Sequence, residues 1–516
     1  MRPELTETMV TGMTTVQNLP VVVIGAGPVG LAAAAHLAER GLEPVVLEAG
    51  DGPGAAVARW GHVRLFSPWR YDVDAAARRL LTGGTGPGQW TEPDLDALPT
   101  GAELVERYLA PLAEALVERA GARIRYGTRV LAVTRDGADR SRSLGRERLP
   151  YLLRVDGGPA GVEEIRAQAV IDATGTFEQP NPLGTSGLPT LGEPESENFL
   201  VGGLPDVLGR DRERFAGRHT LVVGMGHSAA NTLLSLVELA EQAPGTRITW
   251  AIRGGSPRRL YGGGTGDDLP ARGLLGTRLR DAVEAGRVEL LTRVAIDRLE
   301  PSPEGAGDTV RVLGTARRDG DDGALDLTVH NVAAATGFRP DLAMLREVRL
   351  DLDPVVEAPR QIASLIDPNF HSCGTVPPHG EAQLSHPDAG FYLVGMKSYG
   401  RAPTFLLATG YEQVRSVAAA LAGDRAAADA VELNLPATGV CSSDLALAAD
   451  ADGVVSAGAV GASGQSSCCG TSAGPQQVSI GLAPAAAPGA DAAPAVPVPA
   501  GSVGFSTGVV HGRSGD

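Results

Sequence analysis

The sequence predicts an α/β fold with two domains, each built around a mainly parallel sheet, followed by a disordered C-terminal tail. Three observations support this prediction. Short β-branched runs alternate with Ala- and Leu-rich helical stretches from Pro20 to about Ala422. A glycine-rich turn between a strand and a helix occurs twice in that region. After Pro436 the chain has too few large apolar residues for their burial to offset the entropy lost on ordering.

Length and charge limit the classes of function. The 516 residues suffice for two or three domains, and 61 acidic residues against 45 Lys and Arg give a net charge of −16. Nucleic-acid phosphates and anionic lipids would repel such a chain, so we expect neither a nucleic-acid nor a membrane partner. Residues 1–20 contain no basic segment followed by an apolar one, and we therefore expect a cytoplasmic protein.

The first glycine turn follows a buried-strand pattern and opens a helical stretch. Gly25 permits the tight turn, Gly27 lets the backbone approach a pyrophosphate, and Gly30 allows close helix packing. The helix N-terminus supplies N–H donors to the phosphates. The next predicted strand ends at Glu48, whose carboxylate can accept both hydroxyls of an adenosine ribose. The combination of strand, turn, helix and acid predicts a dinucleotide site.

The second glycine turn has the same plan and differs at two positions. It contains Gly224 and Gly226, followed by Ser228, and Ala229 stands in place of the third glycine. Arg253 follows the next predicted strand, where the first turn has its acid. An arginine accommodates a 2′-phosphate and disfavours a free ribose diol, so the pattern predicts NADPH rather than NADH. A solvated arginine at a strand end is the alternative.

Two dinucleotide folds on one chain indicate that one holds a flavin and the other delivers hydride to it. Further motifs are Phe-Ala-Gly at 215–217, Ala-Thr-Gly at 173–175 and 335–337, and Phe-Tyr-Leu-Val-Gly at 391–395 with the helical run 404–422. With these motifs, the chain resembles the FAD- and NAD(P)-dependent flavoproteins with two dinucleotide-binding domains. Within that superfamily it resembles the flavin-containing monooxygenase branch, over about residues 20–425.

The resemblance implies FAD and NADPH as cofactors, bound by two Rossmann-like domains. In this superfamily, the two Ala-Thr-Gly segments connect the FAD and NADPH domains, and the last motif precedes a helix that faces the flavin. The implied additional cofactor-binding residues are Thr174, Gly175, Thr336, Gly337 and Gly395. The expected boundaries are a flexible N-terminus at 1–19, an FAD-binding domain at 20–200 and 336–436, an NAD(P)H-binding domain at 215–335, and a cysteine-containing tail at 437–516.

The candidate catalytic residues are Ser67 and Lys397. By analogy with the superfamily, residues 60–70 pass along the flavin ring, where flat side chains would exclude water. A small satellite core under a loop is the alternative for this segment. Lys397 is the only lysine of the chain, and we expect it to contact the flavin N1/C2 carbonyl region. The asparagine that monooxygenases place near the flavin is not evident, and Phe66 and Ser67 occupy that stretch.

The cysteines leave further alternatives open. No Cys-x-x-Cys follows either glycine turn, which excludes thioredoxin-reductase chemistry. Cys441, Cys468 and Cys469 lie in the tail, and their soft thiolates suit a metalloid or a thiophilic metal. These residues leave three alternatives: a reductase for a soft metal or metalloid compound, a metalloid-binding or redox-sensing flavoprotein, and incidental cysteines.

The sequence as a whole predicts an FAD-dependent, NADPH-using oxidoreductase that resembles flavin monooxygenases and acts on a small molecule. NADPH would reduce the flavin across a cleft between the domains, and the reduced flavin would react with oxygen or with an electrophilic acceptor. The sequence identifies neither the substrate nor the oligomeric state.

Overall fold

The computed structural model describes residues 16–84, 89–261, 270–302, 308–318, 320–367, 376–402 and 405–433. Residues 1–15 lie outside this range. So does the predicted tail at 437–516, with Cys441, Cys468 and Cys469. The predictions made for those segments are therefore not addressed by the structure.

The strands and helices alternate along most of the chain. The strands are β1 (Val21–Ile24), β2 (Pro44–Leu47), β3 (Arg123–Arg125), β4 (Arg129–Arg135), β5 (Tyr151–Asp156), β6 (Val162–Ala167), β7 (Ala169–Asp172), β8 (Leu200–Val201), β9 (His219–Val223), β10 (Arg247–Ala251), β11 (Glu289–Pro301), β12 (Val310–Arg318), β13 (Asp321–Val329), β14 (Asn331–Ala334) and β15 (Phe391–Leu393). The helices are α1 (Pro28–Glu39), α2 (Ala55–Ala58), α3 (Trp69–Asp72), α4 (Ala75–Thr82), α5 (Gly101–Leu104), α6 (Ala110–Glu118), α7 (Arg212–Phe215), α8 (His227–Gln242), α9 (Arg258–Tyr261), α10 (Pro270–Glu284), α11 (Arg360–Ile366), α12 (Glu381–Leu384), α13 (Leu407–Leu421) and α14 (Arg425–Asp429).

The first domain is built on a parallel sheet with the order β15-β7-β1-β2-β3. Between β3 and β7 the chain forms an antiparallel sheet of β4, β5 and β6. Helix α1 is rich in alanine, and its Leu31 and Leu37 are fully buried in the core that it shares with β1 and α13. Burial of each leucine contributes about 1.5–3 kcal/mol, so this face fixes α1 beside β1.

The second domain has the sheet order β13-β12-β11-β10-β9-β14-β8. Strands β8, β14, β9, β10 and β11 run parallel, whereas β12 and β13 extend the sheet as an antiparallel hairpin. Leu233 and Leu236 of α8 are fully buried in the same core cluster as Trp250 of β10. The order confirms the predicted α/β fold with two Rossmann-like sheets, because β1 and β9 each lie at the centre of a parallel set.

The loop at residues 135–150 is more firmly packed than its charge pattern indicates. Residues 135–150 alternate charged with Ser and Gly residues, which is typical of a flexible surface insertion. In the structure, Arg146 is only 2% exposed at its side chain, and its guanidinium makes two bonds of 3.0 and 2.9 Å to the carboxylate of Asp388. This buried bidentate pair anchors the loop to the segment before β15, and sequence charge alone did not reveal it.

Candidate functional site

A cleft of about 1660 Å³ is lined by residues from both domains. Its volume exceeds the roughly 300–1,000 Å³ of ordinary small-molecule sites. The lining comes chiefly from the segments that follow the carboxyl ends of the central strands of both sheets, where ligands bind in open α/β sheets. The cleft therefore has room for more than one dinucleotide-sized group.

The first glycine turn forms one end of this cleft. Gly25 has φ +101°, and a Cβ there would lie 2.9 Å from the carbonyl oxygen of Ala173. A Cβ on Gly30 would collide with the carbonyl oxygen of Gly25. Gly27 lines the cleft, and a Cβ there would meet nothing within 4 Å. No side chain caps the following helix α1, so its first N–H groups remain available to an anionic ligand.

Glu48 directly follows β2 and also lines the cleft. Its Oε2 accepts a hydrogen bond of 2.7 Å from the N–H of Ala26, and its Oε1 accepts one of 2.7 Å from the N–H of Gly50. The two amides fix the carboxylate beside the glycine turn. Each oxygen keeps a further lone pair that can accept a ribose hydroxyl.

The second glycine turn repeats this geometry. Gly224 has φ +133°, and a Cβ there would collide with the carbonyl oxygen of Ala335, while one on Gly226 would meet nothing within 4 Å. The indole N–H of Trp250 donates a hydrogen bond of 2.7 Å to the Gly224 carbonyl oxygen and steadies the turn. Ser228 lines the cleft at the uncapped start of α8.

Arg253 lies two residues beyond β10 and contributes to the cleft wall. Its side chain is exposed, and it has no ion-pair partner among the residues that the structure describes. In the first domain Glu48 is the first residue after β2, so the equivalent position here is Ile252 and Arg253 lies one residue beyond it. The two domains thus present opposite charges where the riboses of their dinucleotides would lie.

The two Ala-Thr-Gly segments meet the glycine turns through their alanines. Their glycines, Gly175 and Gly337, have φ +67° and +82°. The Thr336 hydroxyl donates a hydrogen bond to the carbonyl oxygen of Asn181, and Asn181 Nδ2 donates one of 3.2 Å back to the Thr336 carbonyl oxygen. Sequence reasoning missed Asn181, which joins the crossing segments between the domains and carries no local motif.

The terminal motif lies against helix α13. Gly395 has φ +66°, and its N–H donates a hydrogen bond of 2.7 Å to Oε1 of Gln413. Two residues later, the ammonium of Lys397 lies 2.6 Å from Oδ2 of Asp172 and 3.0 Å from Oγ1 of Thr174. The Lys397 side chain belongs to the cleft wall but exposes no surface. Two of the three N–H groups of the ammonium are therefore directed to partners inside the wall and not into the cleft.

Ser67 lies in the interior of the first domain. Its hydroxyl donates a hydrogen bond of 2.8 Å to Oδ1 of Asp72, and it is absent from the described lining of the cleft. Burial raises the pKa of Asp72 to about 7, and its Oδ2 has no hydrogen-bond partner among the described residues. The preceding Phe66 contacts the ring of His227 at 5.2 Å between centroids. The aromatic segment therefore reaches the second glycine turn.

The structure brings most of the predicted cofactor residues to one cleft. Those that line it are Gly25, Gly27, Glu48, Thr174, Gly175, Gly224, Gly226, Ser228, Arg253, Thr336 and Gly337. Gly30, Ala229 and Gly395 lie behind this lining, where they shape the turns and the packing of the helices. No group of three or more His, Cys, Asp or Glu residues suited to a metal ion occurs within the described ranges.

A family model for FAD-dependent oxidoreductases matches residues 20–89, the part of the chain with the first glycine turn and Glu48. This segment is therefore similar to FAD-dependent oxidoreductases. The open backbone at Gly27, the uncapped start of α1 and the fixed carboxylate of Glu48 fit the pyrophosphate and ribose of FAD.

A curated relative and two solved structures are similar to larger parts of the chain. The chain is 31% identical over 221 residues to indole-3-pyruvate monooxygenase YUCCA1 from Oryza sativa subsp. japonica, a match that spans 42% of this chain and 44% of that protein. Bacillithiol disulfide reductase Bdr from Bacillus cereus aligns with a TM-score of 0.54 and 19% identity, over 78% of this chain and 99% of that one. The FAD-bound cadaverine monooxygenase DfoA from Erwinia amylovora aligns with a TM-score of 0.54 and 15% identity, over 82% and 99%.

These similarities confirm three predictions: the recognition of a two-domain flavoprotein that resembles flavin monooxygenases, its status as an FAD-dependent oxidoreductase, and FAD as its cofactor. The solved structures include both a reductase and a monooxygenase with the same fold, so the fold alone does not distinguish these activities. No helix among the described residues has the length and apolar character needed to cross a membrane.

Proposed function

We propose that this flavoprotein uses NADPH and acts as a flavin monooxygenase-like oxidoreductase on a small organic molecule. One observation carries the proposal: two glycine turns of matching geometry line a single cleft, one beside an acid and the other beside an exposed arginine. This is the arrangement needed to bind one dinucleotide without and one with a 2′-phosphate. The monooxygenase activities of the rice relative and of DfoA support the monooxygenase assignment.

The protein contributes binding, orientation and exclusion of water. Bound FAD supplies the redox chemistry, accepting reducing equivalents and passing them on. The amides around Gly27 and Gly226 hold the two pyrophosphates, Glu48 binds the adenosine ribose of FAD, and Arg253 binds the 2′-phosphate of NADPH. Trp60 in the cleft wall and Phe66 beside His227 restrict water where the two domains meet.

The NADPH assignment is tested at Arg253. Arg253→Glu places a like charge beside the 2′-phosphate, so we expect the KM for NADPH to rise at least tenfold, since about 1.4 kcal/mol corresponds to a factor of ten, while the KM for NADH changes little. Arg247→Glu is the control, because Arg247 is exposed at the amino end of the same strand. Equal changes in both KM values for Arg253→Glu would refute the assignment.

The oxygen chemistry is tested by rapid mixing. The holoenzyme is reduced anaerobically with NADPH and mixed with oxygenated buffer, while flavin absorbance and hydrogen peroxide are followed together. A monooxygenase retains oxygen in a water-excluded site, so we expect peroxide release to lag behind the loss of reduced flavin. Peroxide release in step with the loss of reduced flavin would contradict a monooxygenase and favour a reductase.

A further inference from the structure

A closed ring of polar groups lies behind the FAD side of the cleft. Asp172 Oδ1 accepts hydrogen bonds from the Thr174 N–H at 3.1 Å and from the Thr174 hydroxyl at 2.8 Å. Asp172 Oδ2 accepts one of 2.6 Å from the Lys397 ammonium, which also donates to the Thr174 hydroxyl oxygen at 3.0 Å. Three side chains from two separate segments are thereby fixed relative to one another.

The ring joins the turn after β7 to the turn after β15. Asp172 is the last residue of β7, and Lys397 lies four residues beyond the end of the neighbouring strand β15. Val394, directly after β15, donates a backbone hydrogen bond of 3.0 Å to the Asp172 carbonyl oxygen. The Cα of Thr174 lies 3.3 Å from where a Cβ on Gly25 would be. The ion pair therefore fastens residues 395–397 to the wall beside the first glycine turn.

The ion pair is poorly explained by stability alone. Both side chains have no exposed surface, and the cost of removing two charges from water commonly cancels the attraction between them. The fold itself does not require the acid. In the first domain, Asp172 pairs with Ile24, the last residue of the central strand β1. The residue at the same register in the second domain is Ala334, which pairs with Val223 at the end of β9.

We propose that Asp172 and Lys397 are positioning residues that hold Thr174 and the turn after β15 in the conformation that retains FAD. The inference rests on FAD binding by the first domain. It extends the site to two residues whose side chains have no exposed surface with which to touch the dinucleotide. Their effect on the dinucleotide passes through the Thr174 backbone and the turn at residues 395–397.

The test compares two buried ion pairs of the first domain in the purified holoenzyme. Asp172→Asn and Lys397→Met break the pair behind the cleft, whereas Asp388→Asn breaks the Arg146 pair, which is buried but does not line the cleft. FAD release after dilution is followed by the rise in flavin fluorescence, and unfolding by urea. We expect about tenfold faster FAD release for the first two variants, as for a lost charged hydrogen bond, and an unchanged release rate for Asp388→Asn.

Two further comparisons separate positioning from stability. In the double variant Asp172→Leu/Lys397→Met, an apolar pair replaces both charges, so we expect the urea midpoint to return to that of the wild type while FAD release stays fast. Thr174→Ser keeps the hydroxyl and should keep slow release, whereas the isosteric Thr174→Val should not.

Release rates that follow the urea midpoints across all variants would overturn the inference. So would slow release from the double variant. Either result would leave the flavoprotein assignment intact, because that assignment fails only if the wild-type chain does not bind FAD.

Discussion

The two domains share one scaffold and differ at a few strand ends. In both, a glycine with positive φ presses against the alanine of an Ala-Thr-Gly segment, and a second glycine opens onto the cleft. Glu48 directly follows the second strand of the first domain, whereas Arg253 lies two residues beyond the second strand of the other, and both line the cleft. The comparison teaches that the two glycine turns share one backbone geometry, and we predict that single side chains near the strand ends select the dinucleotide.

The largest effect is expected at the open glycines. Gly27→Val adds a branched side chain where the backbone faces the cleft, so the purified protein should lack bound FAD and its yellow colour. Gly226→Val makes the same change in the second domain and should keep FAD while losing reduction by NADPH. The absorbance spectrum and the anaerobic reduction rate measure the two outcomes. A fully flavinated Gly27→Val protein would contradict the assignment of the first turn.

The domains also differ in buried acids. Among the described residues, the fully buried carboxylates all lie in the first domain, and burial raises the pKa of Asp72 from 3.8 to about 7. The folded state then binds this proton more tightly than the unfolded state, so the free energy of unfolding falls as the pH rises from about 4 to about 7.

Asp72→Asn removes this titration and keeps an acceptor for Ser67. We expect the variant to match the wild type near pH 4 and to exceed it above pH 7 by up to about 4 kcal/mol, at 1.36 kcal/mol per pKa unit. Urea unfolding between pH 4 and 8 measures the difference. Parallel pH profiles for the two proteins would show that Asp72 ionises normally.

Smaller effects on the free energy of unfolding are expected at Gly30 and Ala229, the third small residue of each turn. Gly30→Ala places a Cβ against the Gly25 carbonyl oxygen and should cost about 1–3 kcal/mol through overpacking. Ala229→Gly, at the buried counterpart, should cost about 0.5–1 kcal/mol from greater freedom of the unfolded chain. Thermal unfolding compares them, and a larger loss at Ala229 would reverse the expected difference between the turns.

The sequence predicted the scaffold because its signals are local. A β-branched run, a glycine turn and a helical stretch are contiguous, so both turns and the residues after β2 and β10 were identified without coordinates. The same reasoning identified Lys397 as unusual but did not find its partner, because Asp172 lies 225 residues away in the chain. Ser67 was chosen by analogy, and the structure places its hydroxyl against Asp72 in the interior.

By itself, the sequence determined the fold class and the opposite charges of Glu48 and Arg253, and it predicted two dinucleotide sites. Only the tertiary structure decided that the sites share one cleft, that Asn181 joins the crossing segments, and that Asp172 and Lys397 form a pair inside its wall. The physical reason is the range of the interactions. Propensity and turn geometry act between chain neighbours, whereas burial and ion pairing depend on which distant strands the sheet places side by side.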